Sequence, residues 1–316
     1  YTLHDGAFSA WVVDTLRERN HADRVGIILS RSYGHMALAQ AIGAFIALPL
    51  YLSGYVFYAF SLGFTSCILC AVFCSIMMRE NKDIAFHEGP LVWKHSLDRM
   101  KSLTIEGLKI SFKVPAVGYL VLMYVAFMFL THVVSYLWPV AMKANFGVGR
   151  MSSYWYAIVG LSLFLNFLGA KAMELIAHKS PSNVALWIWF MLISLVMSSP
   201  VAYLGIKTME GDVSLVLLVL SVVLCRFGYG FLRPCYDMLV NKYISAEHSK
   251  RRATILSLGG TLSSLVVVLL MIPSSGTTGE NTTFGWLIPS GLLIVLTLVL
   301  GFLMRRYQRR IGELPS

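Results

Sequence analysis

The sequence predicts an all-α polytopic membrane protein, and three observations lead to this fold class. Of the 316 residues, 57% are hydrophobic and only 13% are charged, whereas soluble domains carry about 25% charged residues. Charge-free runs are long, and the run from Ser32 to Met78 contains no Asp, Glu, Lys or Arg. The runs also lack the short alternating segments of barrel strands, so helices must satisfy the backbone within lipid. This composition excludes a soluble enzyme and a disordered chain.

Eight complete transmembrane helices follow one another along the chain. About 20 apolar residues cross a bilayer, so the first long run holds two spans, which meet near Ser53 and Gly54. The predicted spans are 27–52, 55–78, 116–141, 151–172, 184–206, 213–236, 253–273 and 283–304. Residues 1–16 read as the end of a ninth helix that enters the cytoplasm. We therefore expect the chain to be part of a longer protein.

The basic residues predict the orientation of these spans. Nearly all of the 26 Lys and Arg residues fall on one side. The other side holds only Lys143, Arg150 and Lys207, and Arg226 lies within a span. By the positive-inside rule, both ends of the eight-span block face the cytoplasm, and we expect the cell (inner) membrane. Because the basic residues are spread over five loops, the net charge of +10 indicates topology and contact with an anionic leaflet, not nucleic-acid binding.

A long charged segment, 79–115, divides the chain. Apolar and charged residues alternate in its second half at helical spacing, which predicts an amphipathic helix on the inner leaflet, with a solvated linker as the alternative. One stretch before this segment and one stretch after it contain the same residues in the same order. Each has a Phe, an Asp six residues later, and then, after a basic loop, an Arg at which the next span begins. They are Phe8, Asp14 and Arg24 in the first stretch, and Phe231, Asp237 and Arg252 in the second. Parallel repeats of this kind build one large class of transporters.

This organisation resembles the major facilitator superfamily, in which a long cytoplasmic loop joins two six-helix bundles. The stretch Gly169–Lys179, GAKAMELIAHK, is similar to the second copy of the family's gating motif of Gly and basic residues. The resemblance implies that 1–78 is the remainder of the N-terminal helix bundle, 79–115 the cytoplasmic central loop and 116–316 the C-terminal six-helix bundle. The eight spans would then be the family's helices five to twelve.

Arg226 is the strongest candidate for contact with a substrate. It lies near the middle of the span 213–236, where a charge costs about 2.5–3.5 kcal/mol by insertion scales and therefore faces a cavity or a partner. Asp5 is the candidate partner, because the repeat offset brings it to a similar depth. Such a pair could close the cavity, bind a zwitterion or carry a proton. The alternatives are a structural ion pair for Arg226 and a shallow position for Asp5.

Three further candidates for substrate binding lie in the span 116–141. They are Tyr124, His132 and Tyr136. His132 and Tyr136 are four residues apart and share a helix face, and the resemblance implies that this helix lines the pathway. His132 could bind substrate or exchange a proton, and an interhelical hydrogen bond is the alternative.

A second set of candidates is predicted to act as a gate at the cytoplasmic end. Its members are Asp14, Arg24, Arg233, Asp237 and Arg252. Salt bridges between helices at this level would favour one access state and would break when the gate opens. The alternative is solvated charges that interact with the helix dipoles.

We therefore expect a secondary transporter that moves a small molecule by alternating access, either coupled to protons or uncoupled. The alternative is a membrane sensor or scaffold that does not transport but is built on a transporter-derived fold. The sequence has no P-loop, HExxH or GxSxG pattern, so we expect no enzyme activity, no cofactor and no metal. The expected partners are the substrate, protons if coupling occurs, and the lipid bilayer, with a monomer as the oligomeric state.

Overall fold

The helices of the computed structural model account for nearly all of the residues that it describes. These are 11–13, 15–16, 18–21, 24–77, 105, 109, 113–244, 259–269 and 283–312. Of them, 91% are helical and none lies in a strand, which confirms the all-α fold class for this part of the chain. The helices are α1 (Val25–Leu52), α2 (Val56–Met77), α3 (Pro115–Gly147), α4 (Ala157–His178), α5 (Asn183–Met209), α6 (Leu215–Tyr243), α7 (Gly259–Leu269) and α8 (Thr283–Arg310).

Five of the described helices, α3, α4, α5, α6 and α8, are long and apolar enough to cross a membrane. This finding supports an integral membrane protein. The helices α3, α5 and α8 contain three predicted spans, α6 begins two residues after the start of the predicted span 213–236, and α4 covers the predicted span 151–172 from residue 157 onward. The predicted spans 27–52 and 55–78 are helical as α1 and α2, but neither is among the five. The predicted span 253–273 is described only over α7.

The chain stays helical between α3 and α4, where the sequence predicted a loop outside the membrane. One helical segment runs from Pro115 to His178, and only Gly147 departs from helical geometry, with φ 78° and ψ 163°. Glycine reaches this region at low cost because it has no Cβ. A single residue therefore takes the place of the expected loop.

Helix α1 runs antiparallel to α4 and also contacts α6. Gly34 on α1 lies against Ala170 of α4, and Gly160 of α4 lies against Phe45 of α1. Small residues at such crossings let two helices approach closely. Helix α4 is thereby held between α1 and α6.

Helices α4 and α6 approach each other closely at two glycines. A Cβ on Gly230 would overlap the carbonyl oxygen of Asn166, and a Cβ on Gly169 would overlap the carbonyl oxygen of Phe227. Both obstacles are backbone atoms, which cannot move aside as a side chain can. The two glycines therefore fix the distance between α4 and α6.

Helices α3 and α6 also pack side by side in antiparallel directions. The ring of Tyr124 stacks on that of Tyr236 with centroids 4.1 Å apart, and the ring of Phe127 lies 5.9 Å from that of Tyr229. These aromatic contacts belong to a large buried core formed mainly by α3 to α6 and α8. In contrast, α2 exposes large apolar side chains on most of its surface, as suits contact with lipid.

Candidate functional site

A buried carboxylate lies where α1 meets α4. Glu174 of α4 is 5% exposed. Arg31 of α1 approaches its Oε1 with Nε at 2.9 Å and Nη2 at 2.8 Å, and Lys171 Nζ lies 2.7 Å from Oε2. His178 Nε2 lies 3.9 Å from Oε1 and adds a charge only when it is protonated. We call Arg31, Lys171, Glu174 and His178 the Glu174 cluster.

The partners of Glu174 differ in whether they lie on the same helix. Lys171 and His178 are three and four residues away on α4 itself, whereas Arg31 is 143 residues away in sequence. The Arg31 side chain is 50% exposed. If α1 moves away from α4, Arg31 can be solvated and Lys171 can keep Glu174 neutralised. The contact between Arg31 and Glu174 can therefore break without leaving a bare buried charge, which would be costly.

A second polar cluster joins α1 to α6. The Tyr33 hydroxyl donates a hydrogen bond of 2.8 Å to Asp237 Oδ2. The guanidinium of Arg233 donates to the Tyr229 hydroxyl and lies 5.0 Å from the centroid of the Tyr33 ring. Tyr229, Arg233 and Asp237 are spaced four residues apart, so they share one face of α6. We call Tyr33, Tyr229, Arg233 and Asp237 the Asp237 cluster.

The charges of the Asp237 cluster are buried, since Asp237 is 6% exposed and Arg233 is 7% exposed. Buried ions are stable only when hydrogen bonds or opposite charges replace their water. The phenol of Tyr33 supplies both a donor for Asp237 and a ring face for Arg233. One side chain of α1 thus contacts two ions of α6.

The predicted gate residues have different positions. Arg233 and Asp237 lie together in the Asp237 cluster. Arg24 lies directly before α1 and is exposed. Asp14 and Arg252 lie outside the described residues.

Six residues of the two clusters were not predicted as members of the candidate site, namely Arg31, Tyr33, Lys171, Glu174, His178 and Tyr229. A signal was available for four of them. Arg31 is a charge inside the predicted span 27–52, and Lys171, Glu174 and His178 lie in the stretch that resembles a gating motif. Tyr33 and Tyr229 carry no such signal, because a tyrosine in an apolar helix is common in any membrane protein.

Arg226 lies deeper in the bundle, at the contact between α3 and α6. Its Nη2 donates a hydrogen bond of 2.9 Å to Ser135 Oγ. Ser135 Oγ donates in turn to the carbonyl oxygen of Thr131 at 2.6 Å. Asp5, the predicted partner of Arg226, lies outside the described residues. Ser135 therefore provides the contact that the sequence did not predict.

The three candidates on α3 are not gathered in one place. Tyr124 is buried against Tyr236. The Nδ1 of His132 bonds to the carbonyl oxygen of Met128, 2.7 Å away in the same helix. Tyr136 is 58% exposed and is turned about 100° around the helix from Ser135. Only Tyr124 shares the α3–α6 contact with Arg226.

The described residues include no group of three His, Cys, Asp or Glu side chains that could hold a metal ion.

Neither the family models nor the curated proteins searched match the chain.

Proposed function

We propose that the protein is a secondary transporter with a major-facilitator-like arrangement of eight complete transmembrane helices and the end of a ninth. Helices α1 and α2 belong to the remainder of an N-terminal bundle, and α3 to α8 belong to a C-terminal six-helix bundle. The observation that carries this proposal is the ion pair between Arg31 and Glu174. It joins a residue before the charged segment 79–115 to a residue after it.

In this proposal the two clusters form a gate between the bundles. The Glu174 cluster ties α1 to α4, and the Asp237 cluster ties α1 to α6. Polar contacts of this kind are either formed or replaced by contacts with water. They therefore allow two distinct states of the gate, which a continuous apolar contact between helices would not. When α1 leaves, Glu174 keeps Lys171 as a partner on α4, and Arg233 keeps the Tyr229 hydroxyl as a partner on α6. This limits the free energy that opening costs.

The gate lies at the end of the bundle where α1 begins and α4 ends. The positive-inside rule assigns this end to the cytoplasm. The structure described above is then closed on the cytoplasmic side. We propose a monomer in the cell membrane, with both ends of the eight-span block in the cytoplasm, that moves a small molecule and carries out no enzymatic reaction.

Thiol labelling of the α1–α4 contact tests the proposal. Ala177 is 3% exposed and lies against Gly26 of α1, so a cysteine at this position reacts with a water-soluble reagent only when α1 leaves α4. The test uses Ala177→Cys in a protein without the five native cysteines. We expect this protein to be labelled slowly and to be labelled faster when it also carries Glu174→Gln. Equal labelling rates with and without Glu174→Gln would contradict the gate and favour a static sensor or scaffold.

A further inference from the structure

Arg226 has an unusual environment for a charge at this depth. It lies near the middle of α6, and the residue is partly exposed. Its hydrogen-bond partner in the described part of the chain is the neutral hydroxyl of Ser135. No carboxylate of the described residues comes within ion-pair distance of the guanidinium. The described side chains therefore leave the positive charge of Arg226 without neutralisation.

The chemistry of the guanidinium defines what would complete this environment. A guanidinium has five N–H donors in a planar fork that matches two oxygens of a carboxylate or a phosphate. Ser135 occupies one donor, and its own hydrogen is directed to Thr131. Ser135 thus positions the guanidinium by accepting one hydrogen bond through its Oγ. The other N–H donors of the guanidinium stay available for a ligand.

The position of Arg226 relative to the gate favours a ligand that arrives from the α1 side. Tyr229 and Arg233 follow Arg226 by three and seven residues, so the three side chains share one face of α6. Arg226 lies about 10 Å deeper along the helix axis than Arg233. Separation of α1 from α6 would uncover this face from the gate inward.

We propose that Arg226 and Ser135 bind an oxyanion group, a carboxylate or a phosphate, of the transported molecule. This inference rests on the proposed function, and it assigns the substrate to the class of small organic or inorganic anions. Ser135 is the positioning residue in this site, and Arg226 forms the contact with the anion.

Thermal unfolding of the purified full chain tests the inference with defined probes. The probes are acetate, succinate, citrate and inorganic phosphate, with glycerol and tetramethylammonium as neutral and cationic comparisons, all at constant ionic strength. We expect at least one anion to raise the Tm in a saturable manner. Arg226→Gln should weaken its apparent affinity at least tenfold, and Ser135→Ala should weaken it roughly threefold.

Two further variants make the result specific. Arg226→Lys keeps the charge and should retain part of the affinity. Arg305→Gln removes an exposed arginine at the end of α8 and should leave the affinity unchanged. The inference is overturned if none of the four anions stabilises the native protein, or if Arg226→Gln binds them as well as the native protein does. It is also overturned if an anion binds only after Asp5→Asn, because Asp5 would then be the counter-ion.

The labelling of a cysteine at position 177 separates this inference from the proposed function. If labelling shows a gate that opens while no anion depends on Arg226, the anion site is wrong and the transporter proposal stands. If an anion binds through Arg226 while the gate stays static, the anion site stands and the transporter proposal is wrong.

Discussion

Arg31 of α1 and Glu174 of α4 meet through two nitrogen atoms on one carboxylate oxygen, while Lys171 takes the other oxygen. The pair spans 143 residues of sequence, whereas Lys171 is a neighbour on the same helix. The long-range contact is therefore the one that a movement of α1 would break. The short-range contact is the one that would remain.

Arg31→Gln should weaken closure of the gate without unfolding the protein. A half-exposed ion pair contributes up to about 1 kcal/mol, which corresponds to roughly a fivefold change in the ratio of closed to open states. We expect the labelling rate of a cysteine at position 177 to rise by a similar factor. Arg305→Gln is the matched control and should leave the rate unchanged.

The double variant Arg31→Gln with Glu174→Gln checks whether the two residues act together. If they form one contact, the second change adds little to the first, and the effects on the labelling rate are not additive. Fully additive effects would show that Arg31 and Glu174 act independently and would argue against a shared gate contact.

Two substitutions at Tyr33 separate its hydroxyl from its ring. Tyr33→Phe removes the hydrogen bond to Asp237 and keeps the ring beside Arg233. Tyr33→Ala removes both. Labelling at position 177 should therefore increase moderately in the first variant and more strongly in the second. Indistinguishable rates in the two variants would assign the whole effect to the hydroxyl.

Gly230→Ala should destabilise the contact between α4 and α6. The added methyl group would overlap a backbone oxygen of Asn166, and overpacking of this kind costs about 1–3 kcal/mol. We expect a lower Tm in thermal unfolding. Among the described residues, no neighbouring group lies within 4 Å of the position that a Cβ on Gly291 of α8 would take, so Gly291→Ala is the matched control and should leave the Tm unchanged or slightly higher. A Tm drop of the same size in both variants would point to a general effect of alanine.

Tyr236→Phe should leave stability unchanged or raise it. Tyr236 is 1% exposed, and its hydroxyl has no hydrogen-bond partner among the described residues. Removal of an unpaired buried hydroxyl relieves a desolvation penalty, whereas Tyr236→Ala removes the stack on Tyr124 and should cost about 3–5 kcal/mol. Thermal unfolding distinguishes the two variants. A large loss of stability in Tyr236→Phe would mean that the hydroxyl has a partner.

The sequence predicted the membrane helices better than it predicted their contacts. Charge-free runs locate α3, α5, α6 and α8, because the hydrocarbon thickness fixes how many apolar residues a span needs. Between the predicted spans 116–141 and 151–172 the sequence predicted a loop and not a helix interrupted only at Gly147, since a short polar segment is compatible with either.

The candidate site shows the same limit. The charge of Arg226 within an apolar run identifies it, but its neighbour Ser135 depends on which face of α3 meets α6. Helical spacing groups His132 with Tyr136 without showing which helix that face meets. Arg31 lies within a predicted span, and only the antiparallel packing of α1 on α4 shows that it reaches Glu174.

The distance between α1 and α4 at the gate end tests the central claim most directly. Spin labels at exposed positions 21 and 179, in protein without native cysteines, would report this distance by double electron–electron resonance. We predict two distance populations in the membrane-embedded protein, with the longer one enriched by Glu174→Gln. A single distance that Glu174→Gln and Arg31→Gln both leave unchanged would contradict a gate between α1 and α4.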